Sequence, residues 1–241
     1  MGIDLAGTRR IASSVCAATL TAGVLFVSPV GIPSATADGC PDVEVVFARG
    51  TDDAPGIGAV GQAFTDSLRS KVGGRSVGQY AVNYAATMNF LRVVDGVNDA
   101  NNHVNYMIAN CPATRLVLGG FSQGAAIVDF LVGVNPGLSS IPAVGAIPGL
   151  DAIRSDLGGI APPLSPDAAN HVAAVATFGN PVDKVMGSLT GLSPVYGART
   201  IDLCNAGDPI CGPGDIQDRI THHQYAGTQT DQAASFVAGL V

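Results

Sequence analysis

The stretch from residue 115 to residue 132 constrains this chain more than any other. Residues 115–120 (RLVLGG) read as a short apolar strand, and residues 125 to about 132 (AAIVDFLV) read as a helix. Between them stands Gly120-Phe121-Ser122-Gln123-Gly124, a G-x-S-x-G pentapeptide. A chain that passes from strand to helix in so few residues must turn sharply. Small residues two before and two after the serine let strand and helix approach without collision. The turn exposes the Ser122 hydroxyl and aims it away from the sheet, and the helix N-terminus favours negative charge beside it. In a chain with 31 glycines the pentapeptide alone arises by chance; its place between strand and helix gives it weight.

The remaining elements extend this unit into a layered fold. Residues 43–48 (VEVVFA) form a nearly continuous β-branched and apolar run, as expected of a strand buried on both faces. Helical spacing follows over 61–71, a second strand over 76–84 and a helix over 95–110. Beyond the pentapeptide, residues 133–170 break into a Pro, Gly, Leu and Ile-rich segment with a short helix expected over 150–157. Strands over 172–178 and 200–203 and a helix over 229–240 complete the pattern. Strands alternating with helices predict an α/β fold, a parallel sheet with helices on both faces.

The N-terminus is expected to be removed. Arg9 and Arg10 precede an apolar run over 11–27, and Ala35-Thr36-Ala37 offers an A-x-A cleavage site before Asp38. That is the three-part pattern of a secretory signal peptide over residues 1–37, with a single domain over 38–241. Its loss leaves 10 basic against 18 acidic residues, a net charge of −8, with no basic block. Such a chain has no footing for nucleic acid or for anionic membrane surfaces. The mature chain then holds Cys40, Cys111, Cys204 and Cys211. An even count in an exported chain reads as two disulfides, with three pairings open. No C-x-x-C pair is present, so zinc is not expected.

A serine hydroxyl needs a base, and the base needs an orienting group. Of four histidines, His103 falls in the helix before the third strand and His171 at the start of the fourth, both away from the C-terminal ends of the strands. His222 and His223 remain, in a loop after the fifth strand. Asp208, directly after that strand, is the best acid; Asp183 competes, and Asp215 and Asp218 read as solvated loop charges. The order Ser, Asp, His is that of the α/β-hydrolase arrangement. A bond between Cys204 and Cys211 would close a small loop around Asp208 and hold its carboxylate in place. If the first and third strands are neighbours, Cys40 and Cys111 share one sheet edge, and Thr51 lies near Ser122 at the other. Thr51 and the backbone N–H of Gln123 are then candidate oxyanion donors.

Four segments together resemble the cutinase family, and within it the exported actinobacterial and mycobacterial members. They are Phe47-Ala48-Arg49-Gly50-Thr51, Gly120-Phe121-Ser122-Gln123-Gly124-Ala125, the Cys-bounded loop 204–211, and His222-x-x-Tyr225. The resemblance implies an α/β-hydrolase-type three-layer sandwich with a five-stranded parallel sheet in order 2-1-3-4-5. It implies nucleophile Ser122, acid Asp208, base His222, donors Thr51 and Gln123, and disulfides Cys40–Cys111 and Cys204–Cys211. The H-x-x-Y register selects His222 over His223. Fungal members carry serine where this chain has Thr51. Asn89 is a candidate support for the oxyanion loop.

The expectation is a secreted or cell-wall-associated serine esterase of short to medium acyl esters, monomeric and without metal or organic cofactor. The alternatives are a lipase, phospholipase or thioesterase on long-chain lipids, and a non-catalytic exported lipid-binding protein. Leu138, Ile141, Val144, Ile147 and Leu150 are candidates for a flap over the acyl chain, or simply for a loop packing on the core. Ile216 and Ile220 are expected to line the same pocket.

Overall fold

The computed structural model describes residues 39–134, 160–217 and 219–241. The leader over 1–37, the helix expected over 150–157, Asp218 and the flap candidates Leu138, Ile141, Val144, Ile147 and Leu150 lie outside the described residues.

Five parallel strands form one sheet in the expected order, β2-β1-β3-β4-β5. They are β1 (Val43–Ala48), β2 (Val77–Ala81), β3 (Arg115–Phe121), β4 (Val172–Phe178) and β5 (Thr200–Leu203). The central three are buried along nearly their whole length, which is why their sequences are continuous apolar runs and do not alternate. Alternate side chains of β1 still serve opposite faces. Val43, Val45 and Phe47 join one core cluster, while Val46 and Ala48 join the other.

Helices cover both faces. On one side α2 (Val93–Asn110) and α3 (Gln123–Leu131) bury Val97, Val104 and Ile127 against Leu116 and Leu118. On the other, α1 (Gly58–Lys71) and α6 (Thr228–Ala238) bury Phe64, Leu68 and Val237 against Val117 and Ala176. Phe47, Phe64 and Phe178 meet there with ring centroids 5.9–6.4 Å apart. Two one-turn helices, α4 (Asp183–Met186) and α5 (Leu189–Leu192), follow β4. They are too short for periodicity to reveal in the sequence.

Several bounds differ from expectation. The helix read over 61–71 starts at Gly58, and the one after the pentapeptide starts at Gln123, immediately behind Ser122. Strand β2 is shorter than the expected 76–84: pairing with β1 ends where the Val82 amide donates to the Phe47 carbonyl, and the chain bends at Tyr84, which is buried beneath the loop that follows β1. Part of the Pro and Gly-rich segment packs on the core: Leu164 donates its amide to the Leu131 carbonyl, and Asn101 on α2 donates to the Pro162 carbonyl.

Cys40 and Cys111 are bonded, their Cα atoms 5.6 Å apart. The bond follows from topology: β1 and β3 are hydrogen-bonded neighbours, so the residues just before them share one sheet edge. Cys204 and Cys211 are bonded directly after β5.

Candidate active site

Ser122 sits between β3 and α3 with φ 54° and ψ −117°, a conformation that L residues rarely adopt. Its neighbours explain how the chain tolerates this turn. A Cβ on Gly124 would stand 2.0 Å from the Ala48 carbonyl oxygen, and one on Gly120 would stand 2.3 Å from that of Gly124. The helix therefore presses against the end of β1 with no room for a methyl group. The Ser122 amide donates to the Phe178 carbonyl at 2.9 Å, tying the turn to β4.

The loop after β5 delivers the acid. Asp208 is fully buried, and the Cys204–Cys211 bond closes the loop that carries it. Its Oδ1 accepts from the Ile210 amide at 2.7 Å and its Oδ2 from the Tyr225 hydroxyl at 2.6 Å. The same Oδ2 lies 2.8 Å from His222 Nδ1. Burial pushes the Asp208 carboxyl up, but the bonds from His222, Tyr225 and the Ile210 amide outweigh it and hold the group below the usual carboxylate range. Burial and the Asp208 hydrogen bond push the Tyr225 phenol up, so it stays a donor.

His222 lies in a single turn over Thr221–His223, with Nε2 2.8 Å from Ser122 Oγ. The three side chains expected to meet do meet, hydroxyl to imidazole to carboxylate. His223 lies edge-on to the His222 ring and makes no such bridge. The His222 ring is backed by Phe121, centroids 5.0 Å apart, and by Gly179, where a Cβ would stand 2.8 Å from its Cε1.

The other candidates sort as follows. Thr51 and Gln123 line the same cleft as Ser122 and His222. Gln123 opens α3, so its backbone N–H has no acceptor within the helix. Its side chain is buried and donates from Nε2 to the Thr87 carbonyl at 2.9 Å. Asp183 is not the partner of the histidine; it faces Asp202 beside β5. His103 pairs with Glu44 at 2.8 Å and stacks on Tyr80. His171 sits at the start of β4, and Asp215 is exposed.

Among the described residues Asn89 makes no bond to the Thr51 loop; its Oδ1 accepts from the Leu91 amide and caps a short 3-10 turn. The Thr51 loop is held instead by residues to which the sequence reading gave no such role. Arg49 donates to the carbonyls of Asp53, Val82 and Tyr84, the Tyr84 hydroxyl donates to the Arg49 carbonyl, and Asp53 Oδ2 accepts from the Gly50 amide. The Asp52 amide donates to the Ala86 carbonyl at 2.6 Å. The only available signal was a charged residue, Arg49, at the end of an apolar strand.

The cleft encloses about 580 Å³. Met88, Phe90, Val93, Phe121, Phe130 and Ile216 give it apolar walls, with Ile216 placed as expected, whereas Ile220 is not among its lining residues. Met88 and Ile216 are about half exposed at its rim. Among the described residues there is no group of three metal-ligating side chains.

Comparison with known proteins places this geometry in context. The sequence profile of a family described as Cutinase matches residues 39–241. A Mycobacterium tuberculosis protein named phospholipase Culp4 is 45% identical over 236 residues, covering 98% of this chain and 94% of that protein. Another from the same organism, named probable carboxylesterase Culp3, is 48% identical over 223 residues, covering 91% and 78%. Among solved structures, Trichoderma reesei cutinase in complex with a phosphonate inhibitor superposes with a TM-score of 0.60 at 31% identity, covering 83% of this chain and 77% of that one.

Proposed function

Because the chain belongs to the cutinase family and is a carboxylic ester hydrolase, we propose that Ser122, His222 and Asp208 are its catalytic triad and that it works as an exported serine esterase. The observation that carries this reading is the pair of 2.8 Å contacts linking Ser122 Oγ to His222 Nε2 and His222 Nδ1 to Asp208 Oδ2. In the proposed reaction His222 takes the hydroxyl proton as Ser122 attacks the ester carbonyl. The backbone N–H of Gln123 and the Thr51 hydroxyl stabilise the tetrahedral oxyanion. The alcohol leaves with the proton from His222, and water then releases the acid from the acyl-enzyme. Asp208 keeps the imidazole in the tautomer that leaves Nε2 free to accept.

Export follows, in this reading, from a leader over 1–37 that is removed before Asp38. Two disulfides support an oxidising destination, outside the cell or at its wall. Among the described residues no helix is long and apolar enough to cross a membrane. The substrates proposed are esters of short to medium acyl chains, suited to a cleft of this size with apolar walls. The half-exposed Met88 and Ile216 at its rim and the phospholipase name of one relative favour a second reading, hydrolysis of longer-chain lipids.

The test is an acyl-chain series on purified protein and on Ser122→Ala. The reading expects activity that peaks at short to medium chains and vanishes in the variant. A peak at long chains selects the second reading, and wild-type turnover by Ser122→Ala refutes the triad. Failure of a serine-reactive phosphonate to label Ser122 favours a non-catalytic lipid-binding protein.

A further inference from the structure

Among the described residues most cationic side chains are bonded to the protein's own carboxylates or carbonyls. Arg69, Lys71 and Arg92 are paired with Asp66, Asp231 and Asp95, while Arg49, Arg115 and Arg199 donate to backbone carbonyls. Lys184 and Arg219 also donate to carbonyls, those of Pro209 and Ile216, and what sets them apart is their place. Both are exposed, both line the cleft that holds Ser122, and neither forms a salt bridge with a carboxylate among the described residues.

Their attachment fixes which side of the cleft they occupy. Lys184 Nζ donates to the Pro209 carbonyl at 2.7 Å, so its ammonium lies against the loop that carries Asp208. The Arg219 carbonyl accepts from the His222 amide at 3.1 Å, so its side chain branches from the turn that presents the base. Among the described residues the one carboxylate in the lining, Asp52, belongs instead to the Thr51 loop after β1. In acyl transfer the base returns its proton to the departing alcohol, so the alcohol half of the ester must lie beside His222 Nε2.

We infer that Lys184 and Arg219 form an anion subsite for a phosphate carried by the alcohol half of the ester, making glycerophospholipids the favoured substrate class. The inference rests on the triad proposed for the same site. The step itself is ordinary acyl transfer. The Ser122 oxygen bonds to the acyl carbon, the bond from that carbon to the glycerol oxygen breaks, and the glycerol oxygen takes the proton from His222. The lysophospholipid leaves with its phosphodiester intact, and water completes the cycle.

The experiment compares 1,2-dihexanoylglycerol with dihexanoylphosphatidylglycerol, both below their aggregation limits, as substrates of the full chain. The readout is the ratio of the two kcat/KM values, phosphate-bearing over neutral, which cancels any general effect on the triad. Each exposed charge contributes up to about five-fold, so K184Q/R219Q lowers the ratio roughly ten-fold. K184R/R219K restores it, and about 1 M salt shrinks it in the wild type. An unchanged ratio in K184Q/R219Q overturns the subsite. So does a fall seen only on vesicles, which marks surface attraction. A wild-type protein inactive on both monomeric lipids and on a short-chain nitrophenyl ester instead overturns the esterase reading beneath it.

Discussion

Replacing Tyr225 by Phe isolates one bond of the acid loop. The Tyr225 ring is fully buried and packs on Phe121 and Phe178, centroids 5.6 and 6.1 Å away, contacts that phenylalanine preserves. Only the hydroxyl is lost, and it makes two bonds: it donates to Asp208 Oδ2 at 2.6 Å and accepts from the Asn205 amide at 2.9 Å. A hydrogen bond to a charged group is worth about 1.5–3 kcal/mol, and leaving the Asn205 amide unpaired adds to the loss. A cost of about 2 kcal/mol lowers Tm by roughly 4–8 °C in a domain of this size.

The pH dependence of that cost has a definite sign. Asp208 sits below its ordinary value, so its contribution is present above the unfolded-state value and is lost as pH falls through the folded one. With one donor gone the folded value rises, and Y225F unfolds in acid at higher pH than the wild type. The activity readout separates support from chemistry. His222 Nδ1 and the Ile210 amide still hold the carboxylate, so kcat/KM falls at most about ten-fold, whereas losing the carboxylate itself costs about 10⁴-fold. Thermal unfolding and an ester assay over acid to neutral pH measure both. A Tm within a degree of wild type refutes the bond to Asp208, and a loss approaching 10⁴-fold refutes the purely positioning role.

Other expectations are sharper in sign. Ser122→Ala loses ester hydrolysis at least about 10⁴-fold with the fold intact, while Ser122→Gly relieves the positive φ and raises Tm; calorimetry showing Gly below Ala contradicts the strain. Thr51→Ala lowers kcat by about 10²–10³-fold if its hydroxyl serves the oxyanion, and Thr51→Ser restores it; equal rates for Ala and Ser remove that role. Burial and the neighbouring Asp202 charge push Asp183 up to about 8. Its folded state keeps a proton that the unfolded chain releases near pH 4, so stability falls as pH rises between these values. The Tm gain of Asp183→Asn over wild type therefore grows from about pH 5 to about pH 8, and a constant difference refutes the reading.

The sequence made the architecture legible wherever burial is uniform. Strands over 43–48, 172–178 and 200–203 matched to the residue because each is bounded by Gly, Pro or polar punctuation. The meeting of Ser122, Asp208 and His222 was legible for another reason. Each lies just beyond the C-terminal end of a strand or in the loop that follows, and a parallel sheet gathers those ends along one edge. The chain order of strands and loops was enough to bring residues a hundred positions apart into one cleft.

Side-chain bonds that cross between loops left no such trace. Arg49 reaches 35 residues forward to the Tyr84 carbonyl, and Asn180 donates back to the buried Asp129 at 3.2 Å. Neither pairing has a period or a motif, because each depends on where a side chain points once the sheet is built. Asn89 was the candidate for holding the Thr51 loop, and only the fold shows it to be a cap on a one-turn helix while Arg49 is a buried guanidinium with three carbonyl partners. These hidden bonds bear on the legible ones. Ser122 holds a strained φ between an amide bond to the end of β4 and a helix whose Gly124 is pressed against the end of β1. The Thr51 loop has less support of that kind: Asp52 also has positive φ, at 62°, and its neighbours are held by Arg49, Tyr84 and Asp53. Stiffness on the Ser122 side thus comes from the sheet itself, while stiffness on the Thr51 side rests on bonds between loops, centred on Arg49.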